Sequence, residues 1–163
     1  MTTTETAATT LARFDEAWAS LDETVQSLGE RELTGIRDPA GWSAKDHLMH
    51  VAIWEQALLA KLDGQLRHQA LGLDVATDGS EDYDELNALI FAKTRQRLLK
   101  DVLDEVRSTH AKTRAHIAAF ASGTTSAPAA DAFLADVPGY ADHYDQHAGW
   151  IRDLVEKRSA EKR

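Results

Sequence analysis

The segment LARFDEAWASLDETVQSL, residues 11–28, decides the fold class. Its apolar residues Leu11, Phe14, Trp18, Leu21, Val25 and Leu28 advance in steps of three, four, three, four and three. A helix turns once in about 3.6 residues, so all six share one stripe. Strand alternation would scatter them over two faces. The stripe is a seam for packing against other helices, or against a partner chain. The spacing predicts a helix over residues 4–28, stopped near Gly29.

The same reading extends outward. Residues 30–42, with Gly35, Pro39 and Gly41, read as a long connection. Ser43 is a good N-cap, and Asp46 stands three residues on as a capping-box acid. A second helix follows over 44–67, with Leu48, Ala52, Leu59, Leu62 and Leu66 on one face and Val51 and Leu58 widening it. Residues 72–82 are polar and acidic and read as a loop. Helical pattern returns over 83–120, as one long helix or as a short one (83–95) leading into a longer one (98–120). Leu98, Val102, Val106, Thr109, Thr113, His116, Ile117 and Phe120 give its inner side. Residues 121–131, with Pro128, read as a linker. The last helix begins between 131 and 138 and runs to 158, with Pro138 in its first turn or at a kink. The expectation is an all-α chain, one four-helix bundle domain over 1–163, frayed at about 1–6 and 159–163.

Composition narrows the chemistry. The 163 residues suffice for one cored domain, and 43% hydrophobic with 28% charged residues is the balance of a globular chain. With no cysteine, a transition-metal site must be built from His, Asp and Glu. A net charge of -9 and a pI near 5.2 argue against a nucleic-acid-coating protein. No apolar run approaches a membrane span, and the N-terminus lacks the pattern of a secretory signal. A cytoplasmic protein without nucleic-acid or membrane partners is expected.

The sharpest motif is YADHYDQH, residues 140–147. His143 and His147 are spaced i, i+4, about 40° apart on one helix face and one turn above each other. At that spacing two imidazoles reach one metal ion. Tyr140, Tyr144, Ile151 and Leu154 share the stripe, so both rings point into the bundle, where their nitrogens must be satisfied. A metal would do so; water or neighbouring acids are the plainer alternative. A third ligand must come from another helix, and the second offers His47, His50 and Glu55. His47 lies nearer its most apolar arc, but His50 shares a side with Ile53, Trp54 and Ala57. Spacing leaves His47 and His50 level.

The stretch GWSAKDHLMHVAIWE, residues 41–55, resembles the second helix of the DinB/YfiT-like superfamily: a Trp-Ser at the helix start and a histidine eight residues after the Trp. His50 holds that place, and the HxxxH of the last helix matches as well. LNALIF, residues 86–91, resembles the ClbS/DfsB (colibactin self-protection-like) branch. The resemblance implies a four-helix bundle with a divalent ion, zinc or nickel foremost, on His50, His143 and His147. Water would complete the shell and leave an open position. It implies a metal-dependent enzyme that acts on a small electrophile by thiol transfer or hydrolysis, in a protective role. A small-molecule substrate, a low-molecular-weight thiol and a homodimer go with it. The alternative is a metal-free binding or self-resistance protein of the same fold. Tyr140, Tyr144 and Glu55 would take part in the chemistry. Trp42 and Trp54 would wall the pocket, and Asp46, Glu55 or Asp142 would orient the imidazoles. Plainer roles stand beside these: core packing for the aromatics, a helix cap for Asp46, a basic partner for Glu55.

Asp74, Asp78, Gly79, Asp82 and Glu85 fall on places 1, 5, 6, 9 and 12 of an EF-hand loop, but Ala76 at place 3 cannot ligate, so a solvated loop is expected. His68 and His110 read as surface residues, and His116 as core or groove.

Overall fold

The computed structural model describes residues 3–73, 82–124 and 130–161; among these the regular elements are helices, and there is no strand. Helix α1 is Thr3–Gln26, α2 Glu30–Gly35, α3 Ala44–Ala60, α4 Arg67–Ala70, α5 Tyr83–Thr94, α6 Leu99–Ala121 and α7 Ala130–Ala160. A 3-10 turn, Lys61–Asp63, extends α3. Among the described residues no helix is long and apolar enough to cross a membrane.

Side-chain pairs fix how the four long helices run. Asp15 with Arg114 and Asp22 with Arg107 set α1 antiparallel to α6. Arg13 with Asp142 and Arg152 with Thr24 set α1 parallel to α7. Lys61, just past α3, with Asp136, and His47 with His147 at the other end, set α3 antiparallel to α7. Gln56 with Thr109, and Lys45 with the Arg97 carbonyl, set α3 parallel to α6. Each of α1 and α3 therefore packs against both α6 and α7. Phe14 and Leu21 of α1, Leu48 and Leu58 of α3, Ile117 of α6 and Phe133 and Ile151 of α7 fill the space between, each at most 1% exposed. Burying each such side chain favours folding by about 1.5–3 kcal/mol.

Helix α3 is the central element: 14 of its 17 residues are buried. Besides α6 and α7, it contacts α2, α4 and α5. Its start is strongly held. The Asp46 carboxylate accepts the Ser43 N–H at 2.9 Å, and Ser43 Oγ faces the Asp46 N–H, closing a capping box. The Lys45 ammonium donates to the carbonyls of Arg95 (2.7 Å) and Arg97 (2.8 Å), which the end of α5 leaves without helical partners.

Several boundaries differ from expectation. The second helix does not reach residue 67, because Gly64 adopts φ 67°, a left-handed conformation that ends the run. Leu66, expected on the apolar face, is 58% exposed. Residues 30–42 are not all connection: in α2 the Glu32 carboxylate accepts the Gly29 N–H at 2.9 Å, and Leu33 is buried. Residues 83–121 form two helices, α5 and α6. Leu98 precedes α6 and is 70% exposed. Pro138 lies well inside α7, beyond its first turn. The EF-hand-like positions 74–81 and residues 125–129 of the expected linker, with Pro128, lie outside the described residues. Asp82 caps α5 by accepting the Asp84 N–H.

Candidate metal centre

The antiparallel crossing of α3 and α7 brings histidines together from both. His50 Nε2 lies 3.0 Å from His143 Nε2, which lies 3.0 Å from His147 Nε2. One ligand atom from each of the three fits within 4.8 Å of the others. His50 and His147 are buried and His143 is half-buried. Burial pushes all three imidazoles towards the neutral form: His50 down to about 3, His143 to about 4, and His147 well below the ordinary range, helped by the other rings. Each ring thus offers a lone pair at neutral pH.

The arrangement fits a metal better than it fits itself. His143 Nε2 has one hydrogen or one lone pair to serve two neighbouring nitrogens, so one contact is left unserved. A tetrahedral ion bonded to imidazole nitrogens at about 2.0–2.1 Å sets them about 3.3 Å apart, close to the spacing observed. His50 Nδ1, on the far side of its ring, is buried without a partner.

The fourth histidine sits behind the cluster. His47 Nδ1 lies 3.1 Å from His147 Nδ1, and His47 Nε2 lies 3.1 Å from Asp38 Oδ2. Trp42 packs against His47 and His50 at ring distances of 5.3 and 5.4 Å and stacks on Phe91. It backs the histidines rather than walling the cleft. On their open side is a cleft of about 390 Å³ lined by His50, His143, Trp54, Tyr83, Asn87 and Tyr140, among others. Trp54 Nε1 donates to Asn87 Oδ1 at 2.9 Å, fixing that wall.

The residues expected to support the site divide. Tyr140 lines the cleft beside His143. Tyr144 and Glu55 do not line it; they form a separate polar cluster in the core. The Tyr144 hydroxyl donates to Glu55 Oε2 at 2.5 Å and faces His110 Nδ1 at 3.1 Å. Glu55 Oε1 is buried without a partner, and among the described residues no basic side chain pairs with Glu55. Burial pushes its carboxyl up to about 7 against the pull of the Thr113 and Tyr144 hydroxyls. His110 is not a surface residue: it is 6% exposed, stacked on Trp18 at 3.9 Å and on Phe14. His116 is not core; it is exposed and borders a groove with Gln56 and Leu59. Asp46 serves the cap, and Asp142 pairs with Arg13, so neither bonds an imidazole. The acid that does is Asp38. Its position next to Pro39 in a turn gives no sequence signal for that role, because the contact spans from before α3 to a ring within it.

Neither the curated proteins nor the solved structures yield a match. The family model of the DinB superfamily matches residues 13–151, a span that contains α3, α6 and all three histidines of the cluster. The chain belongs to the DinB superfamily.

Proposed function

We propose that this chain is a metal-dependent enzyme of the DinB superfamily that acts on a small electrophile, by thiol transfer or hydrolysis, in a protective role. On this reading α1, α3, α6 and α7 form a four-helix bundle, and zinc or nickel is held by His50, His143 and His147. The observation that carries it is the convergence of three imidazole Nε2 atoms from two helices, two of whose rings line an aromatic-walled cleft. Members of the superfamily often bind metal. The ion would supply Lewis acidity, bringing the pKa of a thiol or water towards neutrality or polarising the electrophile.

The chain's own groups fit that task. Trp54, Tyr83 and Tyr140 offer flat apolar walls to a small molecule. Burial, with the nearby Asp136 and Glu55 carboxylates, pushes the Tyr140 hydroxyl well above its ordinary range, so it stays protonated and able to donate. Tyr140 is the catalytic residue of this reading. Tyr144 and Glu55 are positioning residues: their hydrogen bond ties α7 to α3 beside the turn that carries His143. A low-molecular-weight thiol as co-substrate, a homodimer and a cytoplasmic setting belong to the same reading.

The cleft's aromatic walls also suit a metal-free, ClbS/DfsB-like protein that binds a reactive small molecule without turnover. Zinc or nickel titration of untagged protein separates the two. Uptake of about one equivalent, lost in His50→Ala, is expected for the enzyme. Uptake below about a tenth of an equivalent overturns the metal reading. Loaded protein is then assayed with a thiol and an alkylating electrophile.

A further inference from the structure

The chain of contacts behind the cluster has a direction. Asp38 is a carboxylate and can only accept, and its Oδ1 already takes the Trp42 N–H at 2.9 Å. Asp38 Oδ2 therefore takes a hydrogen from His47 Nε2, 3.1 Å away. A neutral His47 with its proton on Nε2 presents a lone pair at Nδ1. The atom facing that lone pair, at 3.1 Å, is His147 Nδ1, which must supply the hydrogen. With its proton on Nδ1, His147 is left with a lone pair on Nε2, the atom 3.0 Å from His143 Nε2 inside the cluster. Each hydrogen along the line Asp38, His47, His147 then has an acceptor, and the free lone pair at the end points where a metal would sit. In solution a neutral imidazole can carry its proton on either nitrogen, so an outer partner that fixes the choice prepares the ring as a ligand.

We propose that Asp38 and His47 are positioning residues that lock His147 in the Nδ1–H tautomer and so aim its Nε2 lone pair at the cluster. The metal half of this proposal rests on the reading above; the tautomer half does not. Asp38 and His47 border a groove with Trp150, whereas the cleft is lined by His50 and His143 but not by His47, so changes at residue 47 leave the cleft wall in place.

Two measurements test it. Long-range ¹H–¹⁵N correlation spectra of metal-free wild-type protein labelled in histidine are expected to show His147 protonated on Nδ1 and His47 on Nε2. A His147 ring carrying its hydrogen on Nε2, as a cationic His47 would impose, overturns the proposal. Zinc affinity is then measured by competition with a chromophoric chelator. His47→Leu keeps the bulk but has no acceptor, and is expected to weaken zinc about 10–100-fold. His47→Asn places an amide oxygen where Nδ1 was, and is expected to stay within about threefold of wild type. Equal affinity in the Leu variant, or equal loss in both, overturns the positioning role. If His47→Leu fails to fold by circular dichroism, the wild-type spectra decide alone. If wild-type protein takes up no zinc, the metal reading fails while the spectra still decide the tautomer.

Discussion

Two polar clusters join α3 to α7, the second reaching α6 through His110, and they are built on different plans. In the first, His50, His143 and His147 turn three like nitrogens towards one point, beside a cleft, and leave the region between them short of hydrogens. In the second, the Tyr144 hydroxyl donates to Glu55 and lies 3.1 Å from His110 Nδ1, Trp18 and Phe14 stack on the His110 ring, and Glu55 Oε1 is left without a partner. His143 and Tyr144 are neighbours in sequence, and His50 and Glu55 lie on one helix. What separates a ligand-like cluster from a structural one is thus not residue type or place on the chain. It is whether like nitrogens converge on one point beside a cleft or a hydroxyl links unlike groups inside the core.

Substitutions should separate the clusters by what they lose. The largest effect is expected from His143→Ala: zinc content should fall from about one equivalent to under about a tenth, measured by elemental analysis, while the half-buried position spares the fold. Loss of the fold together with the metal would merge the two clusters into one core.

Next is Glu55→Gln. Burial raises the Glu55 carboxyl from 4.5 to about 7, so the proton is held more tightly in the folded state. Its contribution to stability is fully present below pH 4.5 and is lost as pH rises through about 7. The amide cannot ionise, so Glu55→Gln should gain on wild type between pH 5 and pH 8, by up to about 3 kcal/mol in chemical denaturation. His110 carries the opposite sign. Its imidazole falls to about 4, so its contribution is present above pH 6.5 and fades as the solution is acidified. A pH-independent difference between Glu55→Gln and wild type would mean that the carboxyl is not held neutral by burial.

Tyr144→Phe removes the hydroxyl shared by Glu55 and His110. It should cost about 1–3 kcal/mol, with zinc content kept. Loss of zinc without loss of stability would move Tyr144 into the first cluster. The smallest effect is expected from Arg13→Ala. Its ion pairs with Asp142 and Asp145 are solvent-exposed, and its loss should change stability by less than about 1 kcal/mol.

The helices are readable because each carries its own periodic signal: the stripe from Leu11 to Val25 falls within α1, which ends two residues short of Leu28, and the capping box of Ser43 and Asp46 opens α3 where expected. The i, i+4 pair of α7 was readable for the same reason, since both members belong to one helix. Leu62 packs against the core as its spacing predicts, but Leu66 extends the pattern past Gly64, whose backbone conformation outweighs it. His110 was misjudged because the aromatic rings that cover it, Phe14 and Trp18, belong to α1, far away in sequence.

The sequence by itself determined that the chain is helical, that any transition metal must use histidines and carboxylates, and that His143 and His147 share a helix face. Its spacing could not choose between His47 and His50, and nothing in it pointed to Asp38. Periodicity locates a side chain about its own helix axis. How far one helix is rotated against another is set by packing on every side, and α3 is buried almost all round, so its apolar pattern carries little directional information. Only the tertiary structure turned His50 towards His143, set His47 behind His147, and closed Glu55 and Tyr144 into the core.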